Sequence, residues 1–202
     1  MPPKIKFVYS PVYEMLIEEL KTNNRKHMKK LVNRIWDKRR IDRYTKYTQK
    51  LQKKWDTIGN KAMNLISKTY KLRWAEKDIN CYVLDNIDFS FSVPTTLKIS
   101  KDLDWILALA IHELGHRLEF ENLNRINWNA YNIKFRNESE TTKQHILLYA
   151  VLENVYTKLF GKKKLREYIN ADKNNADYKR AWEIVKMQGK KNIIKNFVRQ
   201  LK

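Results

Sequence analysis

The sequence predicts a mostly helical α+β fold in which a small β-sheet precedes a central apolar helix. Only 4 glycines and 4 prolines occur in 202 residues, which leaves little room for linkers. Apolar residues recur at intervals of three or four through most of the chain, as they do on one face of a helix. Between residues 79 and 99, short runs of β-forming residues alternate with turn residues instead, and these predict the sheet.

The first region, residues 1–78, is predicted to be a basic helical region packed on the core. Residues 4–9 are expected to form a short strand. Pro11 then stands at a first helical position, where its fixed φ suits the start of a helix. Helices with a basic face are expected to continue to about Leu72, since apolar positions recur there at helical spacing among lysines and arginines.

The central region, residues 79–160, begins with the predicted strands. β-forming residues cluster at 81–84 and 89–93, and Asn86 and Asp88 between them favour a turn. Pro94 ends the second run, and residues 96–99 are expected to form a third short strand. The last region, residues 161–202, is predicted to hold helices at 164–169 and from Asp177 onward.

An apolar run from Trp105 to Leu118 is predicted to lie in a helix that opens at Ser100. Ser100 is a good N-cap residue, and acidic residues in the first turn suit the positive end of a helix. Leucines recur at helical spacing along one buried stripe. In the middle of this helix stands the sequence His112-Glu113-Leu114-Gly115-His116.

This five-residue motif has the spacing of a zinc site. His112 and His116 are four residues apart, so they lie on one helix face and can bind one zinc ion. Glu113 lies one step round the helix, where a carboxylate can accept a proton from a zinc-activated water. Two histidines and a glutamate on a buried helix would be costly without a partner. We therefore expect a metal site rather than two packed core histidines.

A catalytic zinc normally has three protein ligands, so a third must come from elsewhere in the chain. Residues 138–160 predict a second apolar helix, capped near Asn137 or Ser139 and ended by Gly161. At ~100° per residue, His145 lies about 60° and Glu140 about 80° from the centre of its apolar stripe. Both can face inward, and periodicity leaves the choice open, although imidazole is the commoner zinc ligand. Glu138 and Glu153 are weaker alternatives.

The motif on a capped helix, with a short β segment before it and a second helix after it, resembles the zincin clan of metallopeptidases. The small members that it resembles are the minigluzincins, the SprT-like proteases and the ImmA/IrrE-type proteases. The resemblance covers roughly residues 79–160 and implies a zincin-like catalytic core there. A histidine third ligand, as in SprT-like enzymes, would correspond to His145. A glutamate, as in the other two groups, would correspond to Glu140.

The resemblance implies a zinc-dependent metallopeptidase that cleaves protein or peptide substrates with Glu113 as general base. In such enzymes an edge strand binds the substrate by backbone pairing, which here would be Phe89 to Val93; an ordinary hairpin is the alternative. His145, Tyr149 or Tyr131 would supply a donor to the developing oxyanion. The chain lacks the His-Gly pair that usually carries the third ligand in SprT-like proteases.

The composition favours an intracellular, cytoplasmic protein. One cysteine excludes an internal disulfide, which fits a reducing compartment. The first residues show no secretory signal pattern, and the chain contains no run of 18 apolar residues that would predict a transmembrane segment.

The charge is strongly positive and unevenly distributed. Lysine and arginine number 42 against 22 acidic residues, a net charge of +20. Residues 21–54 carry 14 basic and 2 acidic residues, and residues 186–202 carry 6 basic residues and no acidic one. Both stretches are candidates for contact with nucleic acid through phosphate groups. The alternative function is therefore a nucleic-acid-binding protein with a structural or vestigial zinc site; a regulatory, toxin-like protease with a single target is a further alternative.

Overall fold

The computed structural model describes residues 1–22 and 25–202, and the side chains of residues 21–29 lie outside its description, so part of the basic stretch 21–54 does too. The predicted fold class is confirmed, because helices dominate and a four-stranded sheet precedes the central helix. The elements are β1 (Lys4–Val8), α1 (Pro11–Thr22), α2 (Arg25–Ile35), α3 (Lys38–Tyr70), β2 (Asp78–Leu84), β3 (Phe91–Ser92), β4 (Thr95–Lys98), α4 (Leu103–Glu121), α5 (Trp128–Lys134), α6 (Glu140–Asp172), α7 (Ala176–Gln188) and α8 (Lys190–Val198).

The chain forms two compact units, and two long helices run through both. Apart from the first two residues, the first unit comprises residues 3–59 and 76–114, and the second comprises residues 60–75 and 115–202. The division falls inside α3 and inside α4. The expectation of three consecutive regions at 1–78, 79–160 and 161–202 stays a prediction.

The sheet belongs to the first unit and has the strand order β1-β2-β4-β3. β1 pairs in parallel with β2, and β2 with β4, whereas β3 is antiparallel to β4. A parallel pair needs a long crossover connection, which α1, α2 and α3 supply between β1 and β2. β3 is an edge strand and covers only two residues of the predicted run 89–93, because Phe89 is exposed and Pro94 cannot donate to a ladder.

Helix α4 contains the predicted apolar run, but it begins later than expected, because its cap is a different residue. The Asp102 carboxylate accepts hydrogen bonds from the backbone amides of Asp104 (2.8 Å) and Trp105 (3.2 Å), so Asp102 caps the helix rather than Ser100. Serine and aspartate are both good N-cap residues, and the sequence pattern alone favoured Ser100, which comes first in the chain. Residues on several sides of α4 are buried, as expected of a helix with little polar surface. Those that are fully or almost fully buried include Ile106, Leu107, Ala110, Ile111, Leu114 and Leu118.

One prediction for the second unit needs correction. The segment 121–136 was expected to be a loop, but it contains helix α5, whose N-cap Asn127 accepts from the amide of Ala130. The predicted cap Ser139 is confirmed, since its side chain accepts from the amide of Thr142 at the start of α6. Gly161 ends the first part of α6 as predicted, because its φ of 81° and ψ of 168° are not helical, and a second helical part then continues to Asp172. No helix within residues 1–22 and 25–202 is long and apolar enough to cross a membrane.

Candidate metal centre

Helix α4 presents both histidines of the motif on one side. The helix runs without interruption through the point between Leu114 and Gly115 where the two units divide. The position of His112 relative to His116 is therefore fixed by helix geometry, with one turn between the two side chains.

His145 of α6 joins these two histidines. The Nε2 atoms of His116 and His145 are 3.4 Å apart. Two nitrogen ligands at a tetrahedral zinc, each at roughly 2.0–2.1 Å from the ion, would be separated by about 3.3–3.4 Å. Donor atoms of His112, His116 and His145 all lie within 4.8 Å of one another. The number, chemistry and spacing of these donors thus fit a zinc ion.

Each of the two facing imidazoles has a hydrogen-bond acceptor behind it. His145 Nδ1 donates to the backbone carbonyl of Thr141 at 2.7 Å, which places the proton on Nδ1 because a carbonyl cannot donate. His116 Nδ1 lies 3.4 Å from a carboxylate oxygen of Glu119, which suits a proton on Nδ1 there too. With both protons on Nδ1, the Nε2 lone pairs point into the cluster, as metal binding requires.

Burial keeps His145 in the form that binds metals. The residue is 5 % exposed. Burial and the neighbouring His116 lower the pKa of His145 to about 4, so the imidazole is neutral at pH 7. A neutral imidazole can act as a metal ligand without first losing a proton.

A glycine inside the motif permits the close approach of α4 and α6. A Cβ atom at Gly115 would lie 2.5 Å from Cδ1 of Leu148, well inside van der Waals contact. Because residue 115 has no side chain, α6 can pack directly against this turn of α4. The neighbouring His116 thereby comes within reach of His145.

Glu113, the expected general base, is buried and oriented by the edge strand. Glu113 follows His112 directly in α4, and it is 6 % exposed. The hydroxyl of Ser92 in β3 donates to Glu113 Oε2 at 2.6 Å. This hydrogen bond fixes the orientation of the carboxylate.

Aromatic rings surround His145. Its ring centroid lies 4.4 Å from that of Tyr178 and 5.3 Å from that of Tyr149. Tyr149 in turn stacks on Trp182 with ring centroids 4.2 Å apart. These contacts restrict the imidazole to one orientation, since rotation of its ring would displace packed neighbours.

The two tyrosines expected as oxyanion donors have hydroxyls engaged elsewhere. Burial and the Asp172 carboxylate raise the pKa of Tyr149, whose hydroxyl lies beside that carboxylate. The Tyr131 hydroxyl donates to the backbone carbonyl of Lys143 at 3.3 Å. Both rings are buried and act as packing groups around the centre.

The alternative third ligands have other partners. Glu140 has a side chain that is 76 % exposed and pairs with Lys143 at 2.6 Å. Glu138 pairs with Arg180, and Glu153 pairs with Lys190 at 2.8 Å. None of the three carboxylates belongs to the histidine cluster.

Two residues that sequence reasoning missed support His116. Glu119 is 5 % exposed; one of its carboxylate oxygens faces His116 Nδ1, and the other accepts from the Tyr70 hydroxyl at 2.7 Å. Its position three residues after His116, on an otherwise apolar helix, was a signal that it shares the face of that histidine. Tyr70 is 49 residues away in sequence, so no local pattern indicates it.

A small cavity opens beside the centre, within the second unit. Its volume is about 270 Å³, and His116 and Glu119 form part of its wall. Apolar and aromatic side chains supply much of the remainder, namely Phe120, Leu123, Trp128 and Tyr131. The cavity is large enough for one apolar side chain of a ligand.

Comparison of the chain with protein-family models finds no match, and neither do searches of curated proteins and of solved structures.

Proposed function

We propose that this protein is an intracellular, cytoplasmic zinc-dependent metallopeptidase that hydrolyses peptide bonds in protein or peptide substrates. His112, His116 and His145 would hold the zinc ion, and Glu113 would be the general base. The observation that carries the proposal is the 3.4 Å approach of two imidazole nitrogens, with a buried carboxylate on the same helix as His116. Three imidazoles are a known ligand set of catalytic zinc sites.

Zinc, when bound, lowers the pKa of a water molecule and polarises a carbonyl group. Glu113 would take up the proton of that water and later pass it to the leaving amine. The Ser92 hydroxyl donates to Glu113 Oε2 and so holds this carboxylate in one orientation. Glu119 and the Thr141 carbonyl keep the ring protons of His116 and His145 away from the metal.

Strand β3 gives the proposal a place for the substrate backbone. β3 is an edge strand, so a peptide could add to its outer side through main-chain hydrogen bonds. Ser92 of this strand contacts Glu113, so a peptide bound along β3 would run beside the general base. The cavity next to His116, within the second unit, would accept an apolar side chain of a substrate.

The test is cleavage of an unfolded, fluorescently labelled casein by the zinc-loaded protein and two variants. Glu113→Gln is expected to lower the rate by about 10²–10⁴-fold, because it removes the base while leaving the histidines intact. Glu167→Gln is the matched control, an exposed glutamate of α6 outside the cavity that is expected to leave the rate unchanged. Equal rates for wild type and Glu113→Gln, with zinc bound in both, would contradict the proposal.

A second candidate function, nucleic-acid binding, is favoured by one observation on α3. Five exposed basic residues recur at alternating intervals of four and three and so form one stripe along the helix: Arg39, Arg43, Lys46, Lys50 and Lys53. The half-buried ring of Tyr47 lies beside them in a concavity of about 520 Å³. Such a basic face with an aromatic ring suits a phosphate backbone with a stacked base. In the stretch 186–202, helix α8 adds exposed lysines.

This candidate predicts salt-sensitive binding of single-stranded DNA and RNA 20-mers, measured by fluorescence anisotropy. Arg43→Glu with Lys50→Glu should weaken binding strongly and reduce its salt dependence. Lys68→Glu, an exposed residue of the same helix outside the stripe, is the control. If nucleic-acid binding is the only activity and the histidine cluster is structural or vestigial, Glu113→Gln will leave every activity intact.

A further inference from the structure

A larger groove lies within the second unit, among the last turns of α6, helix α7 and the start of α8. Its volume is about 860 Å³. Ligand sites for small molecules typically measure about 300–1,000 Å³. The groove therefore has the size of a binding site for one small molecule, and none of the three histidines lines it.

The floor of the groove is apolar. Leu165, Trp182 and Val185 are buried and line it, and the half-buried Ile169 extends this surface. Trp182 is held in place on two sides, since its indole nitrogen donates to Asp172 at 2.9 Å and its ring stacks on Tyr149. A fixed aromatic and aliphatic floor favours a hydrocarbon or aromatic body over a polar one.

The rim of the groove is cationic. Four exposed lysines line it, and among the described residues none of them has a carboxylate at salt-bridge distance: Lys173, Lys179, Lys186 and Lys191. The two acidic lining residues are engaged, Glu153 by Lys190 at 2.8 Å and Glu183 by Arg180 at 3.8 Å. The rim thus has an excess of positive charge above an apolar floor.

The start of α8 adds positive charge to the rim of the groove. Gly189 ends α7 and precedes α8 with φ 75°, a conformation that other residues adopt only with strain. No side chain caps the start of α8 within the described chain, and Lys190 and Lys191 stand in its first turn. The partial positive charge of this helix end adds to the charge of the two lysines.

From this combination we infer that the groove binds an amphipathic anion, a molecule with one carboxylate or phosphate group and a hydrocarbon body. The body would lie on the floor beside Trp182 and Ile169. The anionic group would lie at the lysine rim near the start of α8. The site would be independent of the peptidase activity proposed above.

The test uses the full-length, zinc-free protein and isothermal titration calorimetry. The probes are dodecanoate and dodecyl phosphate, each kept below its micelle concentration. We expect saturable binding of one molecule per chain for at least one of them, and the tighter binder identifies the head group. Dodecyltrimethylammonium, with the same chain and a positive head, should not bind. Inorganic phosphate should bind far more weakly than dodecyl phosphate, because it makes no use of the floor.

Paired charge reversals inside and outside the groove show whether the groove is the site. Lys186→Glu with Lys191→Glu should weaken binding by about tenfold or more, because two rim charges are reversed. Lys163→Glu with Lys195→Glu, exposed residues of α6 and α8 outside the groove, should leave binding unchanged. Circular dichroism should show the same melting temperature for both pairs.

Three results would overturn the inference. One is no saturable binding of either anion to the wild type. Another is equal weakening by the groove pair and the control pair, which would mean attraction to overall charge. The third is equally tight binding of the cationic amphiphile, which would mean that the lysines contribute nothing.

Discussion

In the first unit, a largely buried group of polar side chains brings opposite charges together. The carboxylate of Glu14, with 0 % exposure, accepts from Arg40 at 2.7 Å and from the Tyr9 hydroxyl at 2.6 Å. Arg40 also reaches Asp85 at 3.5 Å, and Asp85 accepts from the Tyr44 hydroxyl at 2.6 Å. Each ionised group here has a partner of opposite charge.

In the second unit, the corresponding group is built from like partners. Nε2 of His116 faces Nε2 of His145. With the ring protons on Nδ1, both Nε2 atoms are hydrogen-bond acceptors, so neither can donate to the other. Glu119 behind His116 and the Thr141 carbonyl behind His145 add negative character and hold the rings in place. Such a group is suited to a cation at its centre.

The difference between the two groups distinguishes a cluster of polar side chains that stabilises the fold from a candidate metal site. Burial and polarity alone do not distinguish them, since both are buried. Balanced pairs of opposite charge stabilise the fold without a ligand, whereas converging lone pairs with acceptors behind them suit a metal ion. The following substitutions test this distinction, beginning with the largest expected effect.

Arg40→Met is expected to lower the free energy of unfolding by about 3–5 kcal/mol, because it leaves the buried Glu14 carboxylate without its cation. Urea unfolding followed by circular dichroism measures the change. Adding Glu14→Gln to the same chain should recover part of the loss. A loss below about 1 kcal/mol would show that the first group is not held together by this charge pair.

Glu119→Gln is expected to weaken zinc binding by about 10–100-fold, because the carboxylate that orients His116 is lost while Tyr70 can still donate to the amide oxygen. Competition with a chelating dye measures the affinity. Glu121→Gln is the control, since Glu121 pairs with Arg117 in the same last turn of α4. Equal affinities for wild type and Glu119→Gln would remove Glu119 from the centre.

Gly115→Ala is expected to destabilise the protein by about 1–3 kcal/mol, because the new methyl group overlaps the end of the Leu148 side chain. In a double-mutant cycle, Leu148→Ala should lessen this cost by making room. Purely additive effects of the two substitutions would contradict a direct contact between them.

The exposed pair Arg180–Glu138 should give the smallest change. Its geometry is as good as that of Arg40–Glu14, with two hydrogen bonds of 2.7 and 3.0 Å, but the Arg180 side chain is 45 % exposed. The hydrogen bond from Arg180 lowers the pKa of Glu138 below 4.5. The stabilisation is therefore present above pH 4.5 and disappears as the pH falls through that lowered pKa.

Acid unfolding of wild type and Glu138→Gln tests this prediction. The two proteins should differ slightly at pH 7 and converge at pH 2. A difference at pH 7 as large as that of Arg40→Met would mean that burial does not account for the contrast between the two ion pairs.

Much of the fold could be predicted because it follows from local patterns. The 3.6-residue periodicity of α4 places His112 and His116 on one face wherever the helix lies. The β-forming runs before it predict the strands, and Ser139 marks the start of α6. Helix α5 was missed because it is short and Asn-rich, and only the Asn127 cap indicates it.

The rest of the candidate site depends on contacts that are distant in sequence. His145 and Glu140 both fell on the inner side of a helical projection, and only packing distinguishes a residue 5 % exposed from a side chain 76 % exposed. Tyr70 reaches Glu119 across 49 residues. Local periodicity contains no information about such pairs.

The most direct test of the metal centre is zinc content, measured by elemental analysis on wild type, His116→Ala, His145→Ala and Glu140→Ala. We predict about one zinc per chain in wild type and in Glu140→Ala, and none in either histidine variant, with circular dichroism showing that all four are folded. Absence of zinc from folded wild type after zinc is added back would contradict the metal centre, and loss of zinc in Glu140→Ala but not in His145→Ala would contradict its ligand set.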